Sequence, residues 1–165
     1  MKTINKLYLS LILLSSSLSA VDKSYSFLGI QTGSSFVEGQ ALATIGLKYG
    51  IQTKKYRTAI SYNYAQKSNL NYQTLIAQID TGVLTNQFKK SSFKPYAGLS
   101  FGVIKEKNKL TTSVDKGYVY GINTGFAYIF SDALDVDLGY RYLKTSKLKS
   151  IASLNDLSLS MHYFY

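Results

Sequence analysis

Few side chains in this sequence are suited to catalysis or metal binding. There is no cysteine, which removes a thiol nucleophile, disulfides and lipid attachment at an N-terminal cysteine. His162 is the sole histidine, so a Ser-His-acid centre would need it beside a serine and a carboxylate. Ser160 lies two residues away and on the same face of an extended segment. A lone strand histidine is more often structural, and no metal-ligand cluster or Gly-rich phosphate loop accompanies it. Asp135 and Asp137 share a face as well, but among cations. No catalytic, cofactor-binding or metal-binding residue is assigned, and the reading is non-enzymatic. What remains is a set of charges at alternating positions: Lys48, Arg57, Asp80, Asp135, Asp137, Arg141 and His162.

The elements that must position these charges are strands. The last stretch, 157–165, alternates Leu157, Leu159, Met161, Tyr163 and Tyr165 with mostly small or polar residues, a period of two that favours a strand over a helix. The same alternation predicts further strands over 25–33, 41–51, 56–65, 72–83, 93–104, 117–130 and 134–143. Segments 34–40, 66–71, 105–116 and 144–155 are expected as loops, and 52–55, 84–92 and 131–133 as turns. The loop 105–116 is expected to be the longest and most charged. In strand one Phe27 and Leu28 support opposite phases. One proline, twelve glycines and fifteen tyrosines fit a single β-rich domain without linkers. No segment beyond the N-terminus is apolar enough for a transmembrane helix.

A soluble protein rarely ends on an uncovered aromatic strand, whereas a closed barrel pairs its last strand with its first. The residues Leu157, Leu159, Met161, Tyr163 and Tyr165, together with the stretches Lys94-Pro95-Tyr96-Ala97-Gly98-Leu99-Ser100-Phe101-Gly102 and Leu138-Gly139-Tyr140-Arg141-Tyr142, resemble the small Gram-negative outer-membrane β-barrels of the opacity-protein and OmpX/OmpA-barrel type. Tyr165 stands where phenylalanine is more usual. The resemblance implies an all-β, eight-stranded antiparallel transmembrane barrel in the outer membrane, with both termini in the periplasm. It also implies a C-terminal signal read by the barrel-assembly machinery.

Residues 1–20 fit a cleaved signal peptide: Lys2 and Lys6, an apolar run 7–14 too short to span a bilayer, then small residues. Cleavage is expected after Ala20 or after Ser19, leaving 21–165 as the barrel domain. The formal net charge is +10, of which Lys2 and Lys6 supply two. Export and the scatter of the lysines over loops argue against nucleic acid. Lys105, Lys107, Lys109, Lys144, Lys147 and Lys149 are instead expected at the outer surface, against lipopolysaccharide phosphates or a host ligand.

In such a barrel the apolar face looks to lipid. Its aromatics predict two girdles: Tyr62, Tyr64, Tyr118, Tyr120, Tyr140 and Tyr142 at the loop ends, and Tyr49, Tyr56, Tyr128, Phe130, Tyr163 and Tyr165 at the turn ends. A water-soluble sandwich with a tyrosine core fits these end positions less well. Inside, buried charges must be paired. The expectation is a salt-bridged plug, Arg57 and Arg141 with Lys48 as a further cation, against Asp80, Asp135 and Asp137. Eight strands leave little lumen for water. The function expected is structural or surface-interacting, with a narrow porin and a lipid A-modifying enzyme as the competing readings.

Overall fold

The computed structural model describes residues 24–53, 55–67, 70–82, 91–109, 113–148 and 150–165. The expected signal peptide and its cleavage site, Val83 and Lys149 lie outside the described residues. Eight strands, β1 (Tyr25–Val37), β2 (Gln40–Gln52), β3 (Tyr56–Lys67), β4 (Leu70–Thr81), β5 (Phe93–Asn108), β6 (Val114–Ser131), β7 (Leu134–Ser146) and β8 (Ser153–Phe164), follow one another around a closed antiparallel barrel. β1 pairs with β8 from Phe27–Phe164 to Val37–Leu154, so every strand has two neighbours and no edge is free. Closure of this kind satisfies the backbone internally, which is what a strand-built membrane span requires.

Side chains alternate as the period of two demands. Ile45, Leu47, Leu99, Phe101 and Ile122 point outward and are 58–66% exposed, an apolar belt that only lipid would cover. The inward set of β2, β3 and β7 includes Lys48, Arg57, Ser61, Asp135, Asp137 and Arg141, all buried. Strand one resolves in favour of Phe27, which is buried in the lumen, while Leu28 and Ile30 face out.

Several expected boundaries are corrected. Segment 34–40 is not a loop: β1 runs on to Val37 and turns in two residues, Glu38 and Gly39. Both have positive φ, 48° and 77°, the pair of left-handed conformations that makes a type I′ hairpin twist with its strands. Segment 105–116 is mostly strand, with Lys105 opposite Lys116 and Lys107 opposite Val114. Likewise β7 continues to Ser146 and β8 begins at Ser153, so Lys144, Asn155 and Asp156 are strand residues. The widest sequence separation between successive strands, Thr81 to Phe93, falls at the end that carries the chain termini rather than at the far end. β5 and β6, with 16 and 18 residues, exceed the roughly 9–11 that cross a bilayer. Charged residues on their outermost rungs therefore stand clear of the apolar belt.

Candidate functional site

The lumen is built in two storeys, and strand register gives their order. From the terminal end outward, the inward residues of β7 are Asp135, Asp137, Gly139, Arg141 and Leu143, and those of β8 are His162, Ser160, Ser158, Asp156 and Leu154. The lower storey is polar. Arg57, fully buried on β3, sends its guanidinium across the lumen to β7: Nη2 donates to Asp135 Oδ2 at 2.6 Å and Nη1 to Asp137 Oδ2 at 3.0 Å. Its Nε donates to Gln52 Oε1 at 2.7 Å, and its Cζ lies 5.5 Å from the Phe27 ring centroid. Asp135 is shared with His162, whose Nδ1 sits 2.6 Å from Oδ1, and Asp137 accepts a 2.6 Å bond from Tyr96 Oη.

The structure thus brings Arg57, Asp135, Asp137 and His162 into one cluster. It does not bring in the other predicted partners in the same way. Asp80 is the direct strand neighbour of Arg57, yet its carboxylate accepts from Gln78 Nε2 at 2.7 Å and from Asn123 Nδ2. Arg141 sits higher and pairs with Asp156, Nε to Oδ2 at 3.5 Å, while Ser35 Oγ donates to Asp156 Oδ1 at 2.7 Å. Lys48 is buried among the charges of Asp80, Asp135 and Asp137. Sequence reasoning missed Tyr96 and Asp156. Tyr96 shares the inward parity of Gly98 and Ser100, and Asp156 that of Ser158, Ser160 and His162, so the signal was present in the alternation.

The upper storey is apolar. Val37, Leu42, Ile76, Ile104, Val119, Leu143 and Leu154 meet inside the far half, and Leu148 and Ile151 from the β7–β8 connection fold in with them. Because Leu143 and Leu154 are register partners one inward step beyond Arg141 and Asp156, this stopper lies directly on the charged storey. Among the described residues, buried cations number four (Lys48, Arg57, Lys94, Arg141) and buried carboxylates four (Asp80, Asp135, Asp137, Asp156). With a neutral His162 the interior carries no net charge, the condition under which buried ions persist without a counter-ion.

For catalysis the geometry offers little. His162 is wholly buried, its ring 4.8 Å from that of Phe27, and among the described residues no hydrogen bond joins it to Ser160. Its Nε2 has no hydrogen-bond partner. Among the described residues no three His, Asp or Glu side chains gather as a metal-ligand set.

The outer surface carries the remaining predicted residues. Leu157, Leu159, Met161 and Tyr163 all face outward along β8, and Tyr165 follows them, its N–H donating to Ser26 O at 3.0 Å. Lys105, Lys107 and Lys144 stand on strands at the far end, Lys109 and Lys147 on the connections there. Phe93, Tyr128 and Phe130 stack edge to face at the terminal end, with centroids 5.0 and 4.7 Å apart, beside the girdle expected there.

No family model and no curated protein matches the sequence. Solved structures do. The crystal structure of Neisserial surface protein A is similar over 86% of this chain and 97% of that one, with 18% identity and a TM-score of 0.69. The solution structure of outer membrane protein H from Pseudomonas aeruginosa matches over 86% and 99%, with 19% identity and a TM-score of 0.64. The outer membrane enzyme PagL matches over 83% and 98%, with 15% identity and a TM-score of 0.53. At these identities the likeness is one of fold: the chain has the eight-stranded barrel fold of small outer-membrane proteins.

Proposed function

We propose that this protein is a sealed outer-membrane barrel whose role is structural and at the cell surface, with its termini in the periplasm and its lysine-bearing end outside. The observation that carries this reading is the filled lumen, a charge-balanced polar storey capped by an apolar stopper. Ions would have to cross both, and a dry apolar constriction blocks them even where a polar layer lies behind it. The far-end lysines, Lys105, Lys107, Lys109, Lys144 and Lys147, suit contact with lipopolysaccharide phosphates. The outward row of Leu157, Leu159, Met161, Tyr163 and Tyr165 suits recognition by the barrel-assembly machinery.

The test is conductance across a planar bilayer. The sealed-barrel reading expects no discrete openings from the purified protein. Reproducible single-channel steps would overturn it in favour of the narrow porin.

A further inference from the structure

At the far end, the outward face of β3, β4, β5 and β6 holds a groove of about 470 Å³. Its floor is apolar, formed by Tyr62, Leu75, Val103 and Tyr118, and its upper wall is cationic, formed by Lys105, Lys116 and Lys147. Lys105 and Lys116 are direct cross-strand partners. Like charges so placed oppose strand pairing. Among the described residues no carboxylate forms an ion pair with either amine. The acids next to them in sequence, Glu106 and Asp115, oppose each other on the other face of the ladder. Glu106 there accepts from Ser150 Oγ, and Asp115 Oδ1 accepts from the Lys116 N–H at 2.9 Å. Lys147 has a left-handed backbone, φ 66°, and its Nζ lies 5.2 Å from the Tyr118 ring centroid. Three lysines therefore line one side of a greasy cleft at the top of the lipid-facing belt, two of them cross-strand partners whose like charge an anion would offset.

We propose that this groove binds a phosphorylated glycolipid of the outer leaflet. Its phosphate would sit among Lys105, Lys116 and Lys147, with an acyl chain along Tyr62, Leu75, Val103 and Tyr118. Charge complementarity selects the phosphate, and the apolar floor selects a lipid over a free anion, which would leave that floor uncovered. The inference rests on the reading that the lysine-bearing end faces outward, and it deepens that reading from a diffuse basic rim to one site. Lys116 and Tyr118 enter as binding residues, and Lys107 and Lys144 do not line the groove.

The experiment measures binding of bisphosphorylated lipid A, and of the same glycolipid stripped of phosphate, to the full barrel in nanodiscs. Lys105→Gln, Lys116→Gln and Lys147→Gln are each expected to weaken binding of the phosphorylated form by about tenfold, equivalent to about 1.4 kcal/mol and in the range of one charge-assisted hydrogen bond. Lys55→Gln, at an exposed lysine of the β2–β3 turn at the terminal end, should stay within about twofold, as screened surface charges do. Without lipid, Lys116→Gln should raise the unfolding midpoint, because it removes the repulsion; with lipid it should lose the gain that the wild type shows. That opposition separates a binding defect from a folding defect. Losses as large in Lys107→Gln and Lys144→Gln would overturn the single site and leave the basic rim. Equal binding of the dephosphorylated lipid, or full competition by inorganic phosphate at the same concentration, would overturn the proposed ligand. The orientation is tested apart from binding. The chain lacks cysteine, so Lys109→Cys should react with an impermeant maleimide on intact cells and Asp132→Cys should not; the reverse pattern would remove the underlying reading.

Discussion

Replacing Arg57 with methionine tests the lumen most directly, because the guanidinium is fully buried and three acceptors depend on it. Arg57→Met keeps much of the volume but leaves Asp135 and Asp137 without their cation. Each lost charge-assisted bond is worth about 1.5–3 kcal/mol, and removing one partner of a buried ion pair costs about 3–5 kcal/mol in total. The contact with Phe27, desolvated in the lumen, adds up to about 2 kcal/mol. The expected loss of unfolding free energy is therefore about 4 kcal/mol. The chain has no tryptophan, so urea unfolding is followed by far-UV circular dichroism or by the gel mobility of the folded barrel. A second variant, Arg57→Met with Asp135→Asn, restores the balance to three cations and three carboxylates, and the side-chain amide oxygen it introduces still accepts from His162. Its loss should fall short of the sum of the single losses by about 2 kcal/mol. Additive losses, or a single variant within about 0.5 kcal/mol of wild type, would refute the claim that the lumen is held by paired charges.

Further outcomes follow from neighbouring features. Tyr96→Phe removes one of the bonds to Asp137 and should cost about 1–2 kcal/mol in the same unfolding assay. Gly125→Ala should cost about 1–3 kcal/mol, since a Cβ there would run into the Leu138 carbonyl oxygen and come 2.5 Å from Tyr96 Oη; a stability equal to wild type would show that both the β7 backbone and the ring give way. Glu38→Asn should stabilise the β1–β2 turn by about 0.5–1 kcal/mol, because asparagine tolerates the left-handed conformation that Glu38 is made to adopt, and a lower unfolding midpoint would count against the type I′ turn. His162→Ala should leave the lipid A acylation profile of cells unchanged when read by mass spectrometry, and an altered profile would reinstate an enzyme.

The sequence shows most where one face is plainly greasy and the other plainly not. In 41–51 and 56–65 the alternation of Ile45, Leu47 and Tyr49 with Gly46 and Lys48, and of Ile60 and Tyr62 with Arg57 and Ser61, gives the strand and its facing at once. It shows least at the ends of the lumen, where inward positions are apolar as well. Phe27 competes with Leu28 for the lipid side, and its inward place follows only from His162, Phe164 and Arg57 waiting there. At the far end Ile76, Ile104, Val119 and Leu143 carry no local mark that distinguishes a stopper from a lipid face. Lysines at 105, 107 and 144 suggest solvent and hence loops, but a ladder that outruns the bilayer is solvated as well. Asp156 falls between the expected loop 144–155 and the expected strand 157–165, and so the partner of Arg141 is missed. No one-strand reading sets which cation meets which carboxylate across the lumen, so Asp80, the strand neighbour of Arg57, is grouped with Asp135 and Asp137 although the guanidinium turns to β7 alone.

That crossing has a consequence for how the fold is specified. A one-residue slip between strands would turn Arg57 or Asp135 into the bilayer and is strongly disfavoured. A two-residue slip keeps every residue on its own face, and the outward belt cannot oppose it, because lipid solvates a leucine equally well one rung higher. The inner bonds can. Arg57 on β3 meets Asp135 and Asp137 on β7, Gln31 on β1 meets Asn63 on β3, and Tyr96 on β5 meets Asp137 on β7, so each ties strands that share no ladder. A slip of two anywhere between them lifts one partner by about 7 Å, two residues of rise, and strands a charge or an amide in the lumen. The buried charges cost desolvation that an apolar core would avoid. In return they make the barrel's register depend on pairs that its lipid-facing surface has no means to choose.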